Sequence, residues 1–332
     1  MKVFLLLLSI LLTGCATPMY MQMYQLQGNA RPNDAISLFD QTEKLEKSDT
    51  ETTLALCNSL ISAHEFVRFE ECLGAYTEKA DKDFNLALAE AYRANMYFQL
   101  GNLPKSRLHS MKSVQLSDFL PLGPYEFLAR IEARGGNTEE AYAWMEKLGK
   151  LEVKFLFFSI AQDSIGKVKR DAAVRIYLDL GEYKLAEQEL KKPLPDKSMG
   201  EYIFMSTIDF LETDFDRATN MLANWIAPED TLEWYLGDEI NSLYVYGLVS
   251  LANKNYRDAI QSFRRLLNIP NIEQLRSAYI EGLYHVSKAY QEYGDIEKAG
   301  RFKQLLEQAL NEDALKIPRA QDRASFRELY SL

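Results

Sequence analysis

LYVYGLVSLANKNYRDAIQSFRRLLNIP, residues 243–270, is a helical run that breaks at Lys254-Asn255 and resumes with a small residue, Ala259, four places further on. The same break recurs at Asn102 to Ser106, Asn137 to Ala141, Glu182 to Ala186, Asp214 to Ala218 and Asp295 to Ala299. Gly101, Gly136, Gly181 and Gly294 stand just before four of the breaks, where a helix ends most easily in a left-handed conformation. The Asn and Asp residues that follow are good first caps for the next helix. A weaker seventh unit puts Cys72 in the small slot after Glu65 to Arg68. Successive small positions are then 34, 35, 45, 32, 41 and 40 residues apart, on or somewhat above the period of a two-helix repeat. Small residues let two antiparallel helices approach closely, and Ala94 with Ser106, Ala129 with Ala141, Gly247 with Ala259 and Ser287 with Ala299 are the expected crossings. One hairpin cannot bury both its faces, so several must stack.

The units resemble the tetratricopeptide repeat. Leu243, Tyr246, Gly247 and Ser250 occupy its first-helix slots, and Ala259, Phe263 and Pro270 those of its second helix. Tyr125, Leu128 and Ala129, with Ala141 and Met145, make another unit; Tyr97, Tyr177 and Tyr290 fill the tyrosine slot in three more. No tryptophan fills the first aromatic slot, and Glu132 and Asp209 stand where tyrosine is expected. The resemblance spans roughly residues 53–310 and implies an all-α fold, a right-handed solenoid of about seven hairpins. The long gaps leave room for insertions at Lys150 to Lys167 and Ile226 to Asp238; the first contains Phe155-Leu156-Phe157-Phe158, which is too apolar for a solvated loop.

At the start, Lys2 precedes an apolar run, Val3 to Leu12, and then Thr13-Gly14-Cys15, the layout of an export signal. Ten residues cover about 15 Å as a helix, against a hydrocarbon core of about 30 Å. Leu12-Thr13-Gly14-Cys15 resembles the lipobox of bacterial lipoproteins, which implies cleavage after residue 14 and lipidation of Cys15. In that resemblance Ala16, rather than aspartate, favours the outer membrane. Residues 15–32 mix Met and Tyr with Gly28, Pro32 and polar groups, so they read as a tether. Residues 33–52 read as an N-terminal capping helix carrying Ile36, Phe39 and Leu45. Residues 311–332 read as a C-terminal cap with Phe326, Leu329 and Tyr330 on one side.

The formal charge is −10, with Lys and Arg scattered, which argues against nucleic acid or a polybasic lipid-binding role. None of His64, His109 and His285 has a ligand-spaced His or Cys, so no metal or cofactor is expected; each reads as a half-exposed helix residue. Phosphate-loop, nucleophile-elbow and zinc-protease motifs are absent, and Glu70-Glu71 and Glu139-Glu140 read as solvated charges near helix starts. With the first turn placed at Glu65 to Arg68, Cys57 and Cys72 sit about three residues out of level. Their Cα atoms then lie about 10 Å apart, beyond the ~7 Å reach of a disulfide, so two buried thiols are expected.

Arrays of this kind present their first helices along a concave groove. Spacing puts Asn95, Phe98, Gln99, Glu126, Arg130, Arg134, Arg175, Thr207, Tyr244 and Lys288 there, with the three arginines available for carboxylates of a partner. The expected function is a non-enzymatic, membrane-anchored scaffold for envelope proteins. The alternative is a lipoprotein capturing a glycan or peptide on its 19 tyrosines and 17 phenylalanines, which clustered aromatics on the concave face would favour.

Overall fold

The computed structural model describes residues 19–42, 49–79, 83–117, 122–151, 161–192 and 236–331. The signal, Cys15, Thr207, the Asp214 to Ala218 unit and the Phe155 to Phe158 run lie outside them. Among the described residues there are fifteen α-helices and no strand. They are α1 (Met19–Gly28), α2 (Pro32–Gln41), α3 (Thr50–Ser62), α4 (Phe66–Lys79), α5 (Asp83–Gln99), α6 (Leu103–Leu116), α7 (Leu122–Arg134), α8 (Thr138–Lys150), α9 (Ala161–Asp179), α10 (Tyr183–Leu190), α11 (Leu236–Ala252), α12 (Tyr256–Leu267), α13 (Arg276–Tyr293), α14 (Ile296–Ala314) and α15 (Ala320–Leu329).

One turn joins the helices in pairs. A left-handed residue ends the first helix: Ala30, His64, Gly101, Gly136, Gly181, Lys254 or Gly294. The next residue donates its amide to the carbonyl five places back, as in Arg31 to Leu26 (2.8 Å), Glu65 to Leu60 (2.8 Å) and Asn255 to Ser250 (2.8 Å). This bond satisfies a carbonyl that the helix end would otherwise leave open. Four residues later comes a buried position: Ala35, Phe69, Ser106, Ala141, Ala186, Ala259 or Ala299. Close approach there is direct: Ser106 Oγ donates to Ala94 O at 2.9 Å and Ser287 Oγ to Ala299 O at 2.9 Å. At Gly247 the tight neighbour is Phe263 rather than Ala259, since a Cβ on the glycine would sit 2.7 Å from that ring.

Three expectations are corrected by this turn. The described part of the expected tether, from Met19 on, is not simply a tether, because α1 pairs with α2 in a hairpin of the same geometry. Gln27 of α1 reaches a neighbouring helix, its Nε2 donating to Ala55 O at 2.8 Å, and Met23 is buried. Residues 33–52 are not one capping helix either: α2 closes the first hairpin and α3 opens the second, with Asp49 accepting from Thr52 N at 2.6 Å as its cap. In that second hairpin α4 starts at Phe66, so Phe69 and not Cys72 fills the slot four beyond the cap. The shift brings Cys57 and Cys72 level; their Cα atoms are 5.6 Å apart and they form a disulfide joining α3 to α4.

The first helices of successive pairs, α5, α7, α9, α11 and α13, each pack on the next and form one layer, with α6, α8, α10, α12 and α14 outside it. α9 reaches α11 directly across the sequence gap. The two ends of the array meet. One apolar core runs from Met23 through Phe66 and Tyr97 to Ile280, Leu310 and Phe326. Asp322 of α15 accepts from Asn102 Nδ2 (2.7 Å) and Lys105 Nζ (3.1 Å) at the α5–α6 turn, where Gly101 lies so close to Leu329 and Ser325 that a Cβ would clash. Lys316 pairs with Glu65 at 2.8 Å. The residue at the centre of the junction is His64, which is buried in the α3–α4 turn rather than half-exposed on a helix. Its Nδ1 lies 2.7 Å from Asp313 Oδ2 and its Nε2 lies 2.8 Å from Ser277 Oγ.

Candidate ligand cavity on the inner face

Residues spaced three or four apart on one face of each inner helix point the same way. Arg130 and Arg134 of α7, Arg175 and Asp179 of α9, Tyr244 and Leu248 of α11, and Glu281, His285 and Lys288 of α13 therefore converge. They line a cavity of about 680 Å³, with Leu329 and Tyr330 at the α15 end.

One pole of the cavity is an arginine–carboxylate cluster. Arg175 is bidentate on Glu126 (2.7 and 2.9 Å), and Arg130 bridges Asp179 (2.6 Å) and Glu126 (3.3 Å). Arg134 takes the other oxygen of Asp179 at 3.1 Å. Burial alone would raise Glu126, but Arg175 and then Arg130 outweigh it and hold the carboxyl at about 2. Both Arg130 and Arg134 also lie over the Phe98 ring, at 4.8 and 5.0 Å from its centroid, so their guanidinium planes serve as cavity surface even though their charges are paired.

The opposite pole is built on Glu281. It accepts from Tyr244 Oη (3.0 Å), Tyr330 Oη (2.9 Å) and His285 Nε2 (3.1 Å). Burial raises its pKa, yet the bond from His285 and those from the two tyrosines bring it below the ordinary carboxylate value. Burial, followed by the Glu281 charge, pushes Tyr244 and Tyr330 well above 10. His285 Nδ1 is buried without a partner, as is Gln99 Oε1. The wall thus holds two buried polar atoms that lack a partner, a costly arrangement that a polar group of a bound ligand would relieve.

Seven of the ten residues that spacing assigned to the concave face line this cavity: Phe98, Gln99, Arg130, Arg134, Arg175, Tyr244 and Lys288. Glu126 lies behind the wall as the partner of Arg175, and Asn95 accepts from Gln99 Nε2 at 3.2 Å. The three arginines do not form an unpaired basic stretch, because Glu126 and Asp179 neutralise most of it. Asp179, Ser277, Glu281, Tyr284 and Tyr330 were not anticipated, although Glu281 is one turn before His285 and two before the anticipated Lys288. Among the described residues no group of side chains is arranged to hold a metal ion, and no helix is long and apolar enough to cross a membrane. No family model matches the chain, and no curated protein does.

Proposed function

We propose that this protein is a lipid-anchored binding module of the bacterial envelope, whose array of tetratricopeptide-like hairpins takes a short extended segment of a partner protein into its inner cavity. The observation that carries the reading is the convergence of five inner helices on one cavity with two buried, unpartnered polar atoms, Gln99 Oε1 and His285 Nδ1. The backbone of an extended peptide offers both donors and acceptors to such atoms. The volume falls within the range of about 300–1,000 Å³ usual for ligand clefts.

In this reading Cys15 carries the lipid, Ala16 directs the protein to the outer membrane, and the array is a right-handed solenoid. The Cys57–Cys72 bridge supports export, since disulfides persist in oxidising compartments. If the Asp214 to Ala218 unit forms the same hairpin, the array has eight. It acts as a scaffold by holding its partner at a membrane surface, and it uses no cofactor and no nucleic acid.

A second reading, capture of a glycan, is favoured by the aromatic rings of Tyr256 and Tyr284 on the cavity wall. Crosslinking in cells, with wild type and Cys15→Ser, tests both. A defined set of envelope proteins captured by the wild type and lost from the variant supports the peptide reading. A co-purifying glycan with no protein captured by either form replaces it with the second.

A further inference from the structure

We propose that Ser277, His64 and Asp313 form a nucleophile, base and orienting carboxylate, giving this protein a carboxylic-ester hydrolase activity at the cavity wall. This goes beyond binding and does not depend on which ligand the cavity takes. The three side chains come from α13, the α3–α4 turn and α14, and they make one chain of hydrogen bonds: Ser277 Oγ to His64 Nε2 at 2.8 Å and His64 Nδ1 to Asp313 Oδ2 at 2.7 Å. Those are the contacts and the distances that nucleophilic hydrolysis by serine requires, and such a trio is recognised by geometry rather than by chain order.

Its surroundings suit the chemistry. Ser277 is half-buried and lines the cavity, on the stripe that carries Glu281, so a substrate there meets Oγ while His64 stays behind the wall. His64 is held between Phe66, at 4.9 Å between ring centroids, and the edge-on ring of Phe326 at 6.1 Å. Arg276 donates to both oxygens of Asp313, at 3.0 and 3.2 Å, which fixes the carboxylate ionised and in place. Burial lowers the His64 pKa below 6.5, and the bond to Asp313 restores it only in part, so the imidazole is neutral and able to accept a proton near pH 7. The amides of Ser277 and Ala278 belong to the first turn of α13, where no intrahelical acceptor exists for them, and they are assigned to the oxyanion. His64 also has φ +56° in a turn position that glycine fills in four of the other hairpins.

The steps balance. Ser277 Oγ bonds to the ester carbonyl carbon as its proton passes to His64 Nε2. The ester C–O bond then breaks, and His64 returns the proton to the departing alcohol. Water adds to the acyl-serine with its proton going to His64, the acyl–Oγ bond breaks, and Ser277 regains the proton as a carboxylic acid leaves. Arg276 draws charge from Asp313 and weakens its support of an imidazolium. That favours alcohols, which depart with less protonation than amines.

The test uses the folded full chain with diisopropyl fluorophosphate and with p-nitrophenyl acetate. The expected result is one diisopropylphosphoryl group per chain, mapped to Ser277, and ester hydrolysis that rises with pH through a single ionisation below 6.5. Both fall at least ~100-fold in Ser277→Ala, whose circular dichroism is unchanged. Asp313→Asn, checked by circular dichroism, slows labelling without moving the label. No label above the Ser277→Ala level, or a label on another residue, overturns the proposal and leaves the trio as a junction between the ends of the array.

Discussion

His64 Nδ1 lies 2.7 Å from Asp313 Oδ2 across 249 residues of sequence, and both side chains are buried. A contact of that separation joins the start of the array to its last hairpin. The cavity owes its α15 wall to this closure, because α15 follows Asp313 directly and brings Tyr330 to Glu281.

The junction makes stability depend on pH in a defined direction. His64 is neutral in the folded protein and titrates near 6.5 when unfolded, so the unfolded state takes up the proton first as pH falls. Its contribution is complete above about pH 6.5 and declines below that. A second loss, from Glu126, begins near 4.5 and continues toward 2. Denaturant midpoints measured from pH 8 to 3 should fall in these two windows. His64→Gln should lower stability at pH 8 and remove the first decline; an unchanged pH 5–6.5 slope in that variant contradicts the assignment.

The Cys57–Cys72 bridge closes a loop of 15 residues, for which chain-entropy arguments give about 3 kcal/mol. Oxidised protein should gain the mass of two hydrogens on reduction and lose stability by that order. No mass change on reduction would mean that the two thiols are free.

Among the described residues, Arg175 is the one bidentate partner of the buried Glu126. Arg175→Met should cost about 3 kcal/mol, because it leaves a buried carboxylate underpaired. Adding Glu126→Gln should recover at least about 1 kcal/mol of that, as contacting residues couple. Additive losses would show that the pair is not coupled as the geometry indicates.

Lys254 is exposed and holds φ +65° in a turn where Gly101, Gly136, Gly181 and Gly294 serve elsewhere. Lys254→Gly should therefore raise stability by about 1 kcal/mol, read from the unfolding midpoint. A fall would mean that the lysine side chain makes a contact worth more than the strain.

The sequence was readable where local chemistry repeats. Glycine before Asn or Asp, then a small residue four on, marks hairpins because each feature meets a local steric need. The α1–α2 hairpin escaped notice because Ala30 stands in the glycine position and polar glutamines fill α1. The cysteine pairing was missed for a related reason: His64 holds the left-handed position, so nothing marked the turn and its placement slipped toward Arg68. The inner face was legible from helical spacing, as Phe98, Arg130 and Tyr244 illustrate. Arg130 and Arg175 looked available because Asp179 and Glu126 each lie 49 residues from an arginine they pair with. No local pattern announces such pairings, nor the closure of the ends.

The most direct measurement of the central claim is site-specific photocrosslinking in cells from a benzoylphenylalanine at Gln99, on the cavity wall, and from one at Glu307, exposed on α14. The account predicts that position 99 captures one peptide segment of a defined envelope protein and that position 307 does not. Capture of the same proteins from both positions, or of none from position 99, would contradict it.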